Sequence, residues 1–157
     1  MSTSTRDMTG EIEQFFDRYV AEFNAGLAAP GSAASATALY TDHFIGAHPG
    51  GVEPGENGAE FVKVMQAGFE RYRSIGTKHM AVRGVEVTPI DDFHALARVQ
   101  CRASYVRNSD QQPIDLDFQV AYLVQNLTPE QPDAWRVFAF VTGDERGEYE
   151  RHGLTAG

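Results

Sequence analysis

The hydrophobic period changes once along this chain, at Gly76. Before that point apolar residues recur at intervals of three and four; beyond it they alternate with polar ones. Ile12, Phe15, Phe16, Tyr19, Val20, Phe23 and Leu27 fall on one face of a helix that runs from a Thr9 cap to about Leu27. Glu11 and Glu13 stand in its first turn, where the helix dipole favours anions, and Pro30-Gly31 stops it. Alanines over 33–40 predict a short second helix. A third, opened by Asn57 and Glu60 as a capping box, carries Phe61, Val62, Met65, Gly68, Phe69 and Tyr72 on one face. Strands are predicted over 80–87, 93–106, 114–124 and 135–141. In the second of these, Phe93, Ala95, Ala97, Val99, Cys101, Ala103 and Tyr105 alternate with His94, Leu96, Arg98, Gln100, Arg102, Ser104 and Val106, a pattern blurred only by Leu96 and Val106. The third sets Ile114, Leu116, Phe118, Val120, Tyr122 and Val124 against Asp115, Asp117 and Gln119. The last is apolar on both faces, which fits either a central strand or one covered by a partner chain. Helices gathered on one face of a curved antiparallel sheet define an α+β fold.

The 157 residues suit one domain, expected over 9–145, with a loose tail at 1–8 and a charged, solvated one at 146–157. Thirteen Lys and Arg against 22 Asp and Glu give a net charge of −9, which argues against nucleic-acid partners and against docking on an anionic membrane. Cys101 is the single cysteine, so neither an intramolecular disulfide nor a cysteine-rich zinc site can form. The five histidines show no metal-ligand spacing, and there is no phosphate loop or dinucleotide fingerprint. No metal and no cofactor are therefore expected. The polar opening and the lack of any run near the ~20 apolar residues of a membrane span lead to a cytoplasmic expectation.

The stretch 42–58 is the least regular. Phe44-Ile45 predicts only a short strand, because Gly46, Pro49, Gly50, Gly51, Pro54, Gly55 and Gly58 interrupt it. Taken with this stretch, the order of elements over about 9–145 resembles the nuclear-transport-factor-two-like superfamily. The likeness is carried by FFDRYVAEFNAG in the first helix, LYTDHFIGAHPGG before the third, the ALARVQCRASYVR strand and the closing WRVFAFVTGDE. It implies a cone, in which a strongly bent sheet wraps three N-terminal helices around an apolar pocket. Ketosteroid isomerase, scytalone dehydratase, polyketide cyclases and non-catalytic association domains share that fold, and many are dimers through the outer sheet face. Fold alone leaves function open.

Two residues acquire candidate catalytic roles from the resemblance. His48, in Ala47-His48-Pro49-Gly50, stands where ketosteroid isomerases carry the acid that serves as general base. An imidazole can move protons near neutral pH, although a histidine in a Gly/Pro loop can equally face water or cap a turn. Tyr19 matches the first-helix tyrosine that donates to the developing oxyanion in those isomerases, or else is ordinary core. Asp117 is the counterpart of their strand aspartate by order in the chain, yet it shares a face with Asp115 and Gln119, away from the pocket. Asp42-His43 reads as turn chemistry, because adjacent strand residues point to opposite faces. Cys101 reads as a small buried residue. Phe16, Phe23, Phe44, Phe61, Met65, Phe69, Val99, Cys101 and Tyr122 are the expected pocket lining. The inward Ala95, Ala97 and Ala103 either leave room for a ligand or let a helix approach closely. The expected partners are a small hydrophobic ligand and a second copy of the chain. The expected chemistry is cofactor-independent proton transfer of the isomerase or dehydratase type; the alternative is a non-enzymatic ligand-binding or protein-association domain.

Overall fold

The first helix, α1 (Met8–Ala28), takes its cap from Asp7, two residues before the Thr9 that the sequence suggested. The Asp7 carboxylate accepts the Gly10 N–H at 3.1 Å, and Thr9 lies inside the first turn. Ile12, Phe15 and Phe16 are buried along its inner face. In this computed structural model residues 7–29 and 33–156 are described, so the expected stop at Pro30-Gly31 and most of the N-terminal tail lie outside the described residues. Helix α2 (Ala33–Thr37) follows.

Where a stub of strand was predicted, the chain forms a hairpin. Strand β1 (Tyr40–His48) pairs antiparallel with β2 (Gly51–Glu56), His48 opposite Gly51. Two of the residues that read as breakers are seats for aromatic rings. A Cβ on Gly55 would overlap the Phe44 ring, and one on Gly46 would lie 2.7 Å from that of Phe140. Pro54 is tolerated because β2 is the edge of the sheet. Asn57 does not cap α3 (Ala59–Ser74): its amide donates to the Thr37 and Tyr40 carbonyls at 2.8 and 3.1 Å, tying α2 to β1, and Gly58 occupies the cap without a side-chain bond.

After α3 come β3 (Thr77–Pro89), β4 (His94–Val106), β5 (Pro113–Gln125) and β6 (Arg136–Val141). The six strands run in the order β2-β1-β6-β5-β4-β3, with β1 and β6 parallel and the other pairs antiparallel. Irregularities in β3 at Thr77/His79 and Val82/Gly84 accompany the curvature of this open sheet. Strand β6 lies between β1 and β5, so its two apolar faces follow from a central position. Helices and sheet enclose a core that includes Phe15, Phe16, Val124, Val137 and Trp135, whose indole N–H donates to Glu11 at 2.9 Å.

The predicted solvated tail is corrected. Residues Glu145–Arg151 form α4, capped by Asp144, whose carboxylate accepts the Gly147 N–H at 3.0 Å. Tyr149 and Leu154 are buried against Ile75, Ala103, Tyr105 and Leu116. Arg107 donates to the His152 carbonyl at 3.1 Å and Asn108 to that of Thr155 at 2.7 Å, which holds the end of the chain on the sheet. Two apolar anchors in a charged segment left too faint a period to be read as a helix.

Candidate functional site

A cavity of about 330 Å³ lies between α1, α3 and the inner face of β3–β5, with β6 and α4 closing its sides. That volume is at the small end of the range for organic ligands, roughly 300–1,000 Å³. Phe16, Tyr19, Phe23, Met65, Phe69, Val99, Cys101 and Tyr122 border it. Phe44 and Phe61 do not: their rings pack on each other at 4.6 Å and on Tyr40 at 5.1 and 5.2 Å, so they back the wall that Tyr40 presents. Ala95, Ala97 and Ala103 are 0% exposed and do not border the cavity, so these small side chains serve close packing.

His48 is not brought into the cavity wall. Its side chain is 45% exposed, Nδ1 accepts the Gly50 N–H at 3.0 Å, and Nε2 lies 3.9 Å from Glu53. The imidazole therefore serves the β1–β2 turn. Asp117 is off the main cavity as well, holding Arg102 through two hydrogen bonds of 2.7 and 3.0 Å. Those bonds keep its carboxyl below the usual carboxylate range. The Cys101 thiol, desolvated by burial, is pushed up to about 11 and stays protonated, which removes it as a nucleophile.

The polar groups that border the cavity include phenols and one carboxyl. Tyr19 projects from mid-α1 and Tyr40 from the start of β1, and their hydroxyls meet at 2.6 Å. The Tyr122 ring on β5 packs against Tyr19 with centroids 5.4 Å apart. Burial drives all three phenols well above their ordinary value, so they remain neutral hydrogen-bond donors throughout the physiological range. Glu145, at the start of α4, also borders the cavity. Burial raises its carboxyl above the ordinary value, while Arg71 and His48 pull it back. Sequence reasoning missed it because the charged run after β6 read as solvated. The available signal was its position, four residues beyond the last core strand, where a bent sheet returns the chain to the mouth.

This arrangement can do two things. The apolar walls can hold a small organic body, and the phenols can donate to an oxygen on it. A carboxyl whose ionised form is disfavoured by burial keeps its proton to higher pH than an exposed one and can serve in proton transfer. Among the described residues no cluster of His, Cys, Asp or Glu is arranged to hold a metal, and no helix is long and apolar enough to cross a membrane.

A sheet of this order folded over helices around a side cavity defines the class. The chain belongs to the NTF2-like family described as NTF2-like protein (DUF6841), which matches residues 10–145. No curated protein matches it in sequence. Among solved structures it is similar to a ketosteroid isomerase-like protein from Erwinia carotovora atroseptica, with TM-score 0.61 and 18% identity over 85% of this chain and 93% of the other. It is also similar to an NTF2-like protein with a cystatin-like fold from Novosphingobium aromaticivorans, with TM-score 0.64 and 15% identity over 93% and 87%. A protein from Catenulispora acidiphila, solved in complex with S-DNPA, has TM-score 0.64 and 12% identity over 89% and 96%. These likenesses concern the fold.

Proposed function

We propose that the chain holds a small, largely apolar organic molecule in this cavity and moves a proton beside a carbonyl or hydroxyl on it, as an isomerase or dehydratase without a cofactor. The observation that carries this reading is a single apolar cavity bordered both by neutral buried phenols and by one desolvated carboxyl. Tyr19 donates a hydrogen bond to the oxygen on which charge develops, supported by Tyr40. Glu145 takes the role of proton acceptor and donor that the sequence had offered to His48. The ketosteroid isomerase-like name of the Erwinia neighbour supports the reaction class by analogy. A second reading, ligand binding without turnover, is favoured by the hydroxyl of Tyr19 already being paired with Tyr40.

Mass spectrometry of small molecules released from the purified, denatured chain tests both readings. A neutral compound with an oxygen on an apolar body is the expected result; a persistently empty protein that binds no such compound would overturn both. A further expected outcome follows from the exposure of His48. Substituting it by alanine will leave ligand affinity within about twofold and the melting temperature nearly unchanged, as for surface positions generally. A large loss of affinity, read by calorimetry, would restore His48 to the site.

We also propose that the chain pairs with a second copy through the outer face of the sheet. There Leu96, Leu123, Ala139 and Ile45 stand side by side across β4, β5, β6 and β1. Ile45 is 49% exposed in the single chain. Light scattering should give twice the 17.3 kDa chain mass at micromolar concentration, and Leu123→Asp should return it to one. A monomeric parent protein would refute the pairing.

A further inference from the structure

Thr77 opens β3 directly after Gly76, whose φ of +94° turns the chain out of α3 against the Val106 carbonyl, where a Cβ would collide. That turn buries Thr77 to 4% exposure, and among the described residues no group comes within hydrogen-bonding distance and geometry of its Oγ1, the Tyr105 phenol being a polar neighbour that interacts with it more loosely. The side chain borders the cavity. A buried hydroxyl without a partner is disfavoured, and native structures normally satisfy such groups.

Its position along the sheet gives the orphan a meaning. Thr77 stands opposite Tyr105 near one end of β4, whereas Tyr122, beside Tyr19, stands opposite Ala97 near the other. Between them the floor is apolar, made of Val99, Cys101, Phe118 and Val120. The cavity is therefore polar at both ends and greasy in the middle. Glu145 borders it too, close enough to Tyr105 and Tyr149 to disfavour their ionisation, so an anionic group on a ligand would meet repulsion near Thr77.

We propose that the ligand is two-ended: a neutral, ring-sized apolar body with an oxygen at each end, one bonded by the Tyr19 phenol group and the other by the Thr77 hydroxyl. This rests on the small-molecule reading of the cavity and adds the ligand's shape and chemistry. A hydroxyl both donates and accepts, so Thr77 can take either a hydroxyl or a carbonyl oxygen. Thr77 is then a specificity residue, rewarding molecules whose second oxygen sits across the body from the first.

Calorimetric or fluorescence titration with two probes tests this on the full chain. 2-Naphthol carries one oxygen and 2,6-dihydroxynaphthalene one at each end. The two-ended probe should bind roughly tenfold tighter, the value of one added hydrogen bond to an otherwise unpaired group. In Thr77→Val, which keeps the shape and removes the hydroxyl, that advantage should fall below about twofold while 2-naphthol affinity holds. Thr77→Ser should restore it, and melting curves would verify that each variant folds. Equal binding of the two probes by the parent protein, or an advantage that survives in Thr77→Val, would overturn this inference alone. Failure of the parent protein to bind either probe would overturn the small-molecule reading and this inference with it.

Discussion

Truncating Phe69 to alanine will cost the fold about 3–5 kcal/mol, the usual penalty for emptying a buried aromatic site. Its ring is 4% exposed and fills the place where α1 and α3 cross. Gly26 makes that crossing possible: a Cβ there would lie 2.4 Å from the Phe69 ring. Phe23 meets the same ring nearly at right angles with centroids 5.5 Å apart, and Leu27, Ala33 and Ala36 complete the cluster. These contacts hold all three N-terminal helices to one another, so their loss cannot be repaired by moving one of them. Chemical denaturation reads the cost, and a value below about 1 kcal/mol would show that the ring's open side toward the cavity dominates. Gly26→Ala tests the same joint from the opposite direction, with overpacking expected to destabilise by roughly 1–3 kcal/mol.

Replacing Glu145 by glutamine will lower turnover of a true substrate by about 10²–10⁴-fold, the ordinary contribution of a positioned acid or base. Tyr19→Phe will cost less, since the ring still packs and Tyr40 keeps a hydroxyl nearby. A proton acceptor must be ionised, so the parent rate should rise with pH through the raised Glu145 titration, and the glutamine variant should lack that limb. Stability carries the opposite sign. Because burial raises this carboxyl, the folded chain retains its proton to higher pH than the unfolded chain, and stability falls as pH climbs from the unfolded value through the folded one. Glu145→Gln should therefore melt above the parent at neutral pH and converge with it below about pH 4, where both states are protonated. Full activity in the glutamine variant would remove Glu145 from the chemistry and leave the binding reading in front.

Both results depend on features of unequal visibility in the sequence. Helix α1 and strands β4 and β5 were legible because each is long and buries one face, so the period recurs enough times to stand out. Phe16, Tyr19, Val99 and Tyr122, which border the cavity, lie on those elements. The β1–β2 hairpin was not legible, because Gly46 and Gly55 count as strand breakers until the rings of Phe140 and Phe44 are seen lying over them. His48 showed a different limit. A motif places a residue at a strand end, but the Gly50 amide that claims the imidazole belongs to a turn whose geometry no motif specifies. Glu145 was hidden by its neighbours: charge dominates the segment, and burial depends on a return of the chain that only the folded sheet defines.

The parallel pairing of β1 with β6 has a consequence for how the chain comes into being. Tyr40 stands beside Val137, partners drawn from opposite ends of the sequence. Until β6 is in place, the sheet consists of a β1–β2 hairpin and a β3–β4–β5 meander with no hydrogen bonds joining them. During synthesis from the N-terminus, each fragment carries a naked edge and a share of unburied aromatic surface while the ribosome finishes the last strand. Closing so long a loop is slow compared with local hairpin formation, and bare edges are where chains aggregate. The interval between the emergence of Tyr122 and that of Val141 is thus the vulnerable one, during which a chaperone has most to protect.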